Sequence, residues 1–283
     1  MILDFHTHIL PPEIIREKES YLRRDATFAA LYSSPKSRIA TAEQLIASMD
    51  EVGIAASVVL SIGWADAEFC KKTNDYLLEK AQKYPGRIVP FCGVNPGAGE
   101  QALAELQRCA SAGARGVGEL HPDYQGFDLA KVDFLRPFMA MVKELGLVIL
   151  THASEPVGHQ YPGKGSVTPA KLYGLARAFP DVPIVMAHWG GGLPFYWLMP
   201  ELKAGLNNVY FDSAASPFLY DPAVFEITAG LVGADRILFG SDYPLLSQKR
   251  VVEQAMGTSL SEQDRSLLLG GNAARLLNLG KAV

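Results

Sequence analysis

The chain has 283 residues, 48% of them hydrophobic and 20% charged, with a net charge of −4. Such a composition suits a globular protein that buries a sizeable core, and it excludes an extended disordered chain. Basic residues form no run beyond the pairs Arg23-Arg24 and Lys249-Arg250, and no stretch nears the ~18 apolar residues of a membrane helix, so neither nucleic acid nor a bilayer is an expected partner.

Residues 2–6 open the chain with an apolar, β-branched run. Further runs follow at 56–62, 87–94, 114–120, 147–152, 183–188, 208–212 and 236–241, with sequences such as VVLSI, LVILTH, IVMAH and ILFGS. They are near-continuously apolar rather than alternating, as parallel strands covered on both faces must be. Between them stand helical patterns. Thr41 opens one that Gly53 closes, and others cover 66–83, 99–112, 131–145, 168–179, 194–206 and 222–232. This repeated strand–helix alternation predicts an α/β fold, a (β/α)8 TIM barrel forming one domain over 1–283. An open doubly wound sheet is the rival, and no GxGxxG follows the first strand to support it. Residues 9–39 make a long insertion after the first strand, either a packing excursion or a lid over the mouth of the barrel.

Cys70, Cys92 and Cys109 are too few and too irregular for a disulfide framework, which points to a reducing compartment. The start, MILDFHTHILPPE, has neither the positive segment nor the long apolar segment of a secretion signal, so a cytoplasmic protein is expected.

Five of the six histidines, His6, His8, His121, His152 and His188, fall at or just past the C-terminal ends of predicted strands. In a barrel that end is the catalytic rim. His6 and His8 are spaced i, i+2, so both rings can face one cation, although an HxH pair alone reads equally well as structural. Asp4 shares their parity and is expected to hold a histidine N–H from below. His152 and His188 close apolar runs, where a satisfied core histidine is the plainer alternative. Asp242, after ILFGS, and Glu119, in RGVGEL, are acids at buried strand ends, costly unless paired or bound to metal. A salt bridge inside the barrel is the competing reading of Glu119. Each signal is modest, but potential ligands gathered at one end of several strands are not scattered as chance would scatter them.

Taken in order, DFHTH, LTHAS, MAHWGG, FGSDYP and the C-terminal GGNAARLLNL resemble the amidohydrolase superfamily, in particular the amidohydrolase-related group that includes aminocarboxymuconate-semialdehyde decarboxylase. The resemblance runs over nearly the whole chain. It implies metal ligation by His6, His8, His152 and Asp242, with Asp242 also handling a proton and His188 polarising the substrate. Glu119 departs from the decarboxylases and is similar instead to the bridging glutamate of two-metal deoxyribonucleases in the same superfamily. That implies a second ion, with His188 and Glu119 among its ligands.

Mixed imidazole and carboxylate donors suit Zn²⁺, with Mn²⁺, Fe²⁺ or Co²⁺ as alternatives, as one or two ions. The first chemistry expected is hydrolysis of a small organic amide, ester, lactone or related bond by metal-activated water. The second is non-oxidative decarboxylation of an aromatic or unsaturated acid on the same site. A barrel that binds a ligand without turnover is a third reading, and the complete set of acids and ligands argues against it. Trp189, His159, Tyr161 and Lys164 are expected to contact a small-molecule substrate, Lys164 by gripping a carboxylate unless it is simply solvated. His121 is ambiguous, and a homo-oligomer is compatible with the sequence.

Overall fold

The computed structural model of the chain describes residues 1–279. Eight strands lie side by side in sequence order, each parallel to the next: β1 (Ile2–His8), β2 (Ile54–Leu60), β3 (Ile88–Cys92), β4 (Gly116–Leu120), β5 (Val148–Thr151), β6 (Ile184–Met186), β7 (Val209–Asp212) and β8 (Ile237–Leu238). Phe5 N donates to the Phe239 carbonyl (2.7 Å), Asp242 N to that of His6 (2.9 Å) and His8 N to that of Tyr243 (2.7 Å), so the chain following β8 pairs with β1. The sheet curls into the expected (β/α)8 barrel. Among the described residues no helix is long and apolar enough to cross a membrane.

The near-continuous apolarity of the strands has a direct cause. Leu3, Phe5, Val58, Leu60, Phe91, Leu150 and Val185 form one buried cluster inside the barrel, capped by Ala273 and Leu277 of the C-terminal helix. Their neighbours Val59, Cys92, Ile149, Ile184 and Met186 belong to a second cluster shared with the surrounding helices, including Leu45, Leu77, Leu106 and Leu172. Successive strand residues point to opposite faces, and both faces are covered.

Two expected elements are shorter than the sequence suggests. Strand β6 ends at Met186 because His188 and Trp189 take left-handed conformations (φ +54° and +58°), and Gly190, Gly191 and Gly192 continue the reversal. The predicted helix over 194–206 is a 3₁₀ turn (Leu193–Tyr196) and a separate short helix (Pro200–Gly205). Met199, before Pro200, is held extended (ψ 119°), as a residue preceding proline must be.

The insertion folds into three short helices, Pro12–Arg16, Lys18–Arg24 and Ala26–Tyr32. They pack as a satellite core, with Phe28 stacked on Trp64 (centroids 5.2 Å apart, planes 10° apart) and Tyr21 against Phe69. Asp25 pins this unit to the barrel. Its buried carboxylate accepts from Phe28 N (2.9 Å), capping the third helix, and from Ala65 N (2.9 Å) and Asp66 N (3.3 Å) beyond β2. Asp25→Ala removes the cap and leaves buried N–H groups without acceptors. The expected cost is about 2–4 kcal/mol, read as a lower urea midpoint with faster proteolytic cutting inside 9–39.

Candidate metal centre

His6 and His8, at the end of β1, bring their Nε2 atoms within 3.1 Å of each other. Glu119, on β4, lies between two groups of imidazoles. Its Oε2 is 3.6 Å from His6 Nε2 and 3.5 Å from His8 Nε2, while its Oε1 is 3.0 Å from His152 Nδ1 and 3.6 Å from His188 Nε2. Asp242 Oδ1 completes the first group, 3.5 Å from His8 Nε2 and 3.8 Å from His6 Nε2. All six side chains are buried or nearly so. His6, His8 and Glu119 thus offer one set of converging donor atoms, and Glu119, His152 and His188 a second.

The backbone aims these groups by unusual means. His188 and Asp242 both occupy the left-handed region, at φ +54° and +63°. For residues with a Cβ this costs roughly 1–2 kcal/mol each, a strain that concentrates at functional sites. Ring orientation at His6 is set by Asp212, which ends β7. Its Oδ2 is 2.8 Å from His6 Nδ1, and its Oδ1 accepts from His188 N (2.9 Å) and Ala214 N (3.1 Å).

Asp4 was expected to hold a histidine ring and does not. It accepts from Ser241 Oγ (2.6 Å), Gln248 Nε2 (2.8 Å) and the backbone N–H of His6. A register shift between Asp4 and Thr7 breaks the i, i+2 parity on which that expectation rested. Burial pushes its carboxyl up to about 6, against the pull of these hydrogen bonds. Asp212, absent from the residues singled out in the sequence, carries the same signal as Glu119: an acid at the end of a buried strand.

The electrostatics are those of buried carboxylates sharing imidazoles. Burial favours a neutral Glu119, but hydrogen bonds from His152, His188 and His6 outweigh it and hold the carboxyl well below its usual range. Burial likewise opposes charge on His6 and His188. The Asp212 and Glu119 carboxylates nevertheless lift His6 well above the ordinary imidazole value, and Glu119 with Asp242 raises His188 to about 9. Among the described residues no lysine or arginine pairs with Glu119, Asp212 or Asp242 within 4 Å. The negative charge is therefore met only by protonated rings or by a cation. Two Nε2 atoms directed at each other beside two carboxylates fit a divalent metal, which suits inward-facing imidazole and carboxylate donors.

Above the cluster opens a cavity of about 400 Å³, the size of a small-molecule site. The insertion supplies Tyr32, Lys36 and Arg38 to its wall, and Phe218 and Leu245 add apolar surface. His159 and Tyr161 line it. Lys164 does not. Its ammonium donates to the carbonyls of Val157 (2.8 Å) and His159 (3.0 Å), tying its own loop together. Trp189 is also absent from the wall. It is fully buried, donates from Nε1 to Ser216 Oγ (2.6 Å) and packs edge-on to Phe225. The left-handed turn at 188–189 swings it into the core.

The family profile described as Amidohydrolase matches residues 3–279. The chain belongs to the amidohydrolase family. This amidohydrolase is 25% identical to gamma-resorcylate decarboxylase of Polaromonas sp. (strain JS666 / ATCC BAA-500), covering 82% of this chain and 86% of that one. It is 23% identical to 2-amino-3-carboxymuconate-6-semialdehyde decarboxylase of Dictyostelium discoideum, covering 98% and 91%. Its fold matches 5-carboxyvanillate decarboxylase of Novosphingobium aromaticivorans, solved with manganese and 4-hydroxy-3-methoxy-5-nitrobenzoic acid, at a TM-score of 0.79 and 20% identity, over 98% and 96% of the two chains.

Two substitutions test the cluster. Asp212→Asn keeps the shape but weakens the anchor on His6, and metal affinity should fall about 10–100-fold by competition with a chelating dye. Glu119→Ala should lower the metal stoichiometry measured by elemental analysis. An unchanged stoichiometry would exclude a second ion held through this residue.

Proposed function

We propose that this amidohydrolase is a metal-dependent carboxy-lyase, releasing CO₂ from a hydroxylated aromatic or related unsaturated acid without oxidation. One observation carries the reading: a small-molecule cavity has a buried imidazole–carboxylate floor and two cationic side chains, Lys36 and Arg38, in its wall. Decarboxylases match this chain nearly end to end, which supports the second of the two chemistries expected from the sequence. Hydrolysis, the first, has no counterpart among those relatives.

His6, His8, Glu119, His152, His188 and Asp242 would hold the ion or ions. A divalent metal held there would supply Lewis-acid polarisation of substrate oxygens. The solved relative carries manganese, so manganese joins zinc as the ion to test. Arg38 and Lys36 would attract the acid and orient its carboxylate by charge. Asp242, beside His8 and bordering the cavity, would deliver its proton to the ring carbon bearing the carboxylate. The electron pair of the breaking carbon–carbon bond then returns to the ring as CO₂ departs, and Asp242 regains a proton from solvent. His188, across Glu119 from Asp242, would bear positive charge near the substrate oxygen. The insertion, packed over β2, would limit water at this step.

The test is CO₂ release from 2,6-dihydroxybenzoate, 5-carboxyvanillate and 2-amino-3-carboxymuconate semialdehyde, run beside a panel of esters, amides and lactones. Release from at least one acid is expected, abolished by chelator and restored by manganese or zinc. Asp242→Asn should lower kcat about 10²–10⁴-fold. Turnover of the esters, amides or lactones with no CO₂ from any acid would replace this reading with hydrolysis.

A further inference from the structure

His121 borders the cavity but belongs to neither set of converging donors. It is 1% exposed, and among the described residues neither ring nitrogen has a hydrogen-bond partner. Leaving a buried polar atom unmet costs about 1–3 kcal/mol, so a ring with both nitrogens unmet is expensive unless something else satisfies it.

The surrounding structure holds the ring in place despite this cost. Gln125 Oε1 accepts from the His121 backbone N–H (2.9 Å), while Gln125 Nε2 reaches back to the carbonyls of Trp64 and Val94. The ring stacks face to face on His152, with centroids 4.1 Å apart and planes 16° apart, and Tyr124 flanks it at 4.9 Å. Gly63 (φ +70°) makes room for it, since a Cβ there would lie 2.8 Å from His121 Cβ. Near the ring nitrogen Nε2, Gly163 (φ +89°) leaves a gap. A Cβ at that position would stand 3.8 Å from His121 Nε2 and press on Leu31. Space is therefore kept open in front of an unpartnered nitrogen at the edge of the substrate cavity.

We infer that His121 is a substrate-recognition residue that hydrogen-bonds a hydroxyl of the bound molecule. A neutral imidazole offers one donor and one acceptor, and a hydroxyl can answer either. A second carboxylate is the poorer match, because Glu119 and Asp242 already place negative charge at this end of the cavity, whereas Lys36 and Arg38 stand in the wall formed by the insertion. The inference rests on the preceding section only in taking this cavity as the substrate site, and it names hydroxylated acids over their unsubstituted counterparts.

The test uses Zn²⁺-loaded protein and two unreactive probes, 2-nitroresorcinol and nitrobenzene, with affinities measured by calorimetry. The parent protein should prefer 2-nitroresorcinol. His121→Phe, which keeps a flat ring on His152, should reduce that preference about tenfold while zinc content and nitrobenzene affinity hold. An unchanged preference overturns the inference. Nitrogen-15 histidine spectra of the unaltered protein decide the matter if His121→Phe fails to fold. The His121 resonances should move with 2-nitroresorcinol and not with nitrobenzene, and unmoved resonances overturn it. CO₂ release is not part of this measurement. A lost preference without CO₂ release leaves the inference standing and removes the lyase reading, while CO₂ release with an intact preference does the reverse.

Discussion

Glu119 buries a carboxylate on β4 at one end of a barrel whose strands also form an apolar cluster. Removing such a charge from water costs several kcal/mol, and the cost is offset only by close, well-aimed partners. Here the partners are imidazoles from β1, from the end of β5 and from the turn after β6, divided between the two oxygens of one side chain. Much else at this end of the barrel serves that division. Asp212 orients His6, and the left-handed backbone at His188 and Asp242 turns their side chains inward. The strain is local, and the packed apolar clusters beneath it supply the stability that tolerates it.

The insertion after β1 combines the two alternatives that the sequence left open. Its aromatic residues build a small core of their own on Trp64, so it is a packed unit and not a loose flap. Its far end nevertheless supplies Tyr32, Lys36 and Arg38 to the cavity wall. A segment with its own buried contacts can present charged side chains to a cavity at lower entropic cost than a disordered loop. Asp25 links those roles, because it caps an insertion helix and also bonds the backbone beyond β2, where Thr27 Oγ1 donates to the Gly63 carbonyl (2.7 Å) as well.

Several residues of the candidate site are legible from one rule, that a polar side chain ending a buried strand needs a reason to be there. The rule applied at His6, His8, Glu119, His152 and Asp242, whose donor atoms the fold brings to within hydrogen-bonding or near-contact distance of one another. It applies equally to Asp212, the buried acid that closes VYFD. Backbone geometry overturned two other expectations, those for Asp4 and Trp189. At Asp4 a register shift in β1 breaks the parity assumed for it, and at Trp189 a left-handed turn after β6 carries the ring into the core. Lys164 failed differently, since nearby loop carbonyls captured its ammonium, and no sequence pattern reports a loop's own hydrogen bonds.

Hydrophobic periodicity, strand–helix alternation and the placement of ionisable residues at strand ends are local properties, and they determined the barrel and most of the residues that meet at its rim. Distance along the chain carries no such information about pairing. Only the closed sheet decided that Glu119 would lie between two sets of rings, that Asp212 rather than Asp4 would steady His6, and that Arg38 would reach the cavity. Those outcomes depend on register, backbone handedness and the packing of segments far apart in sequence, which are set by the whole molecule at once.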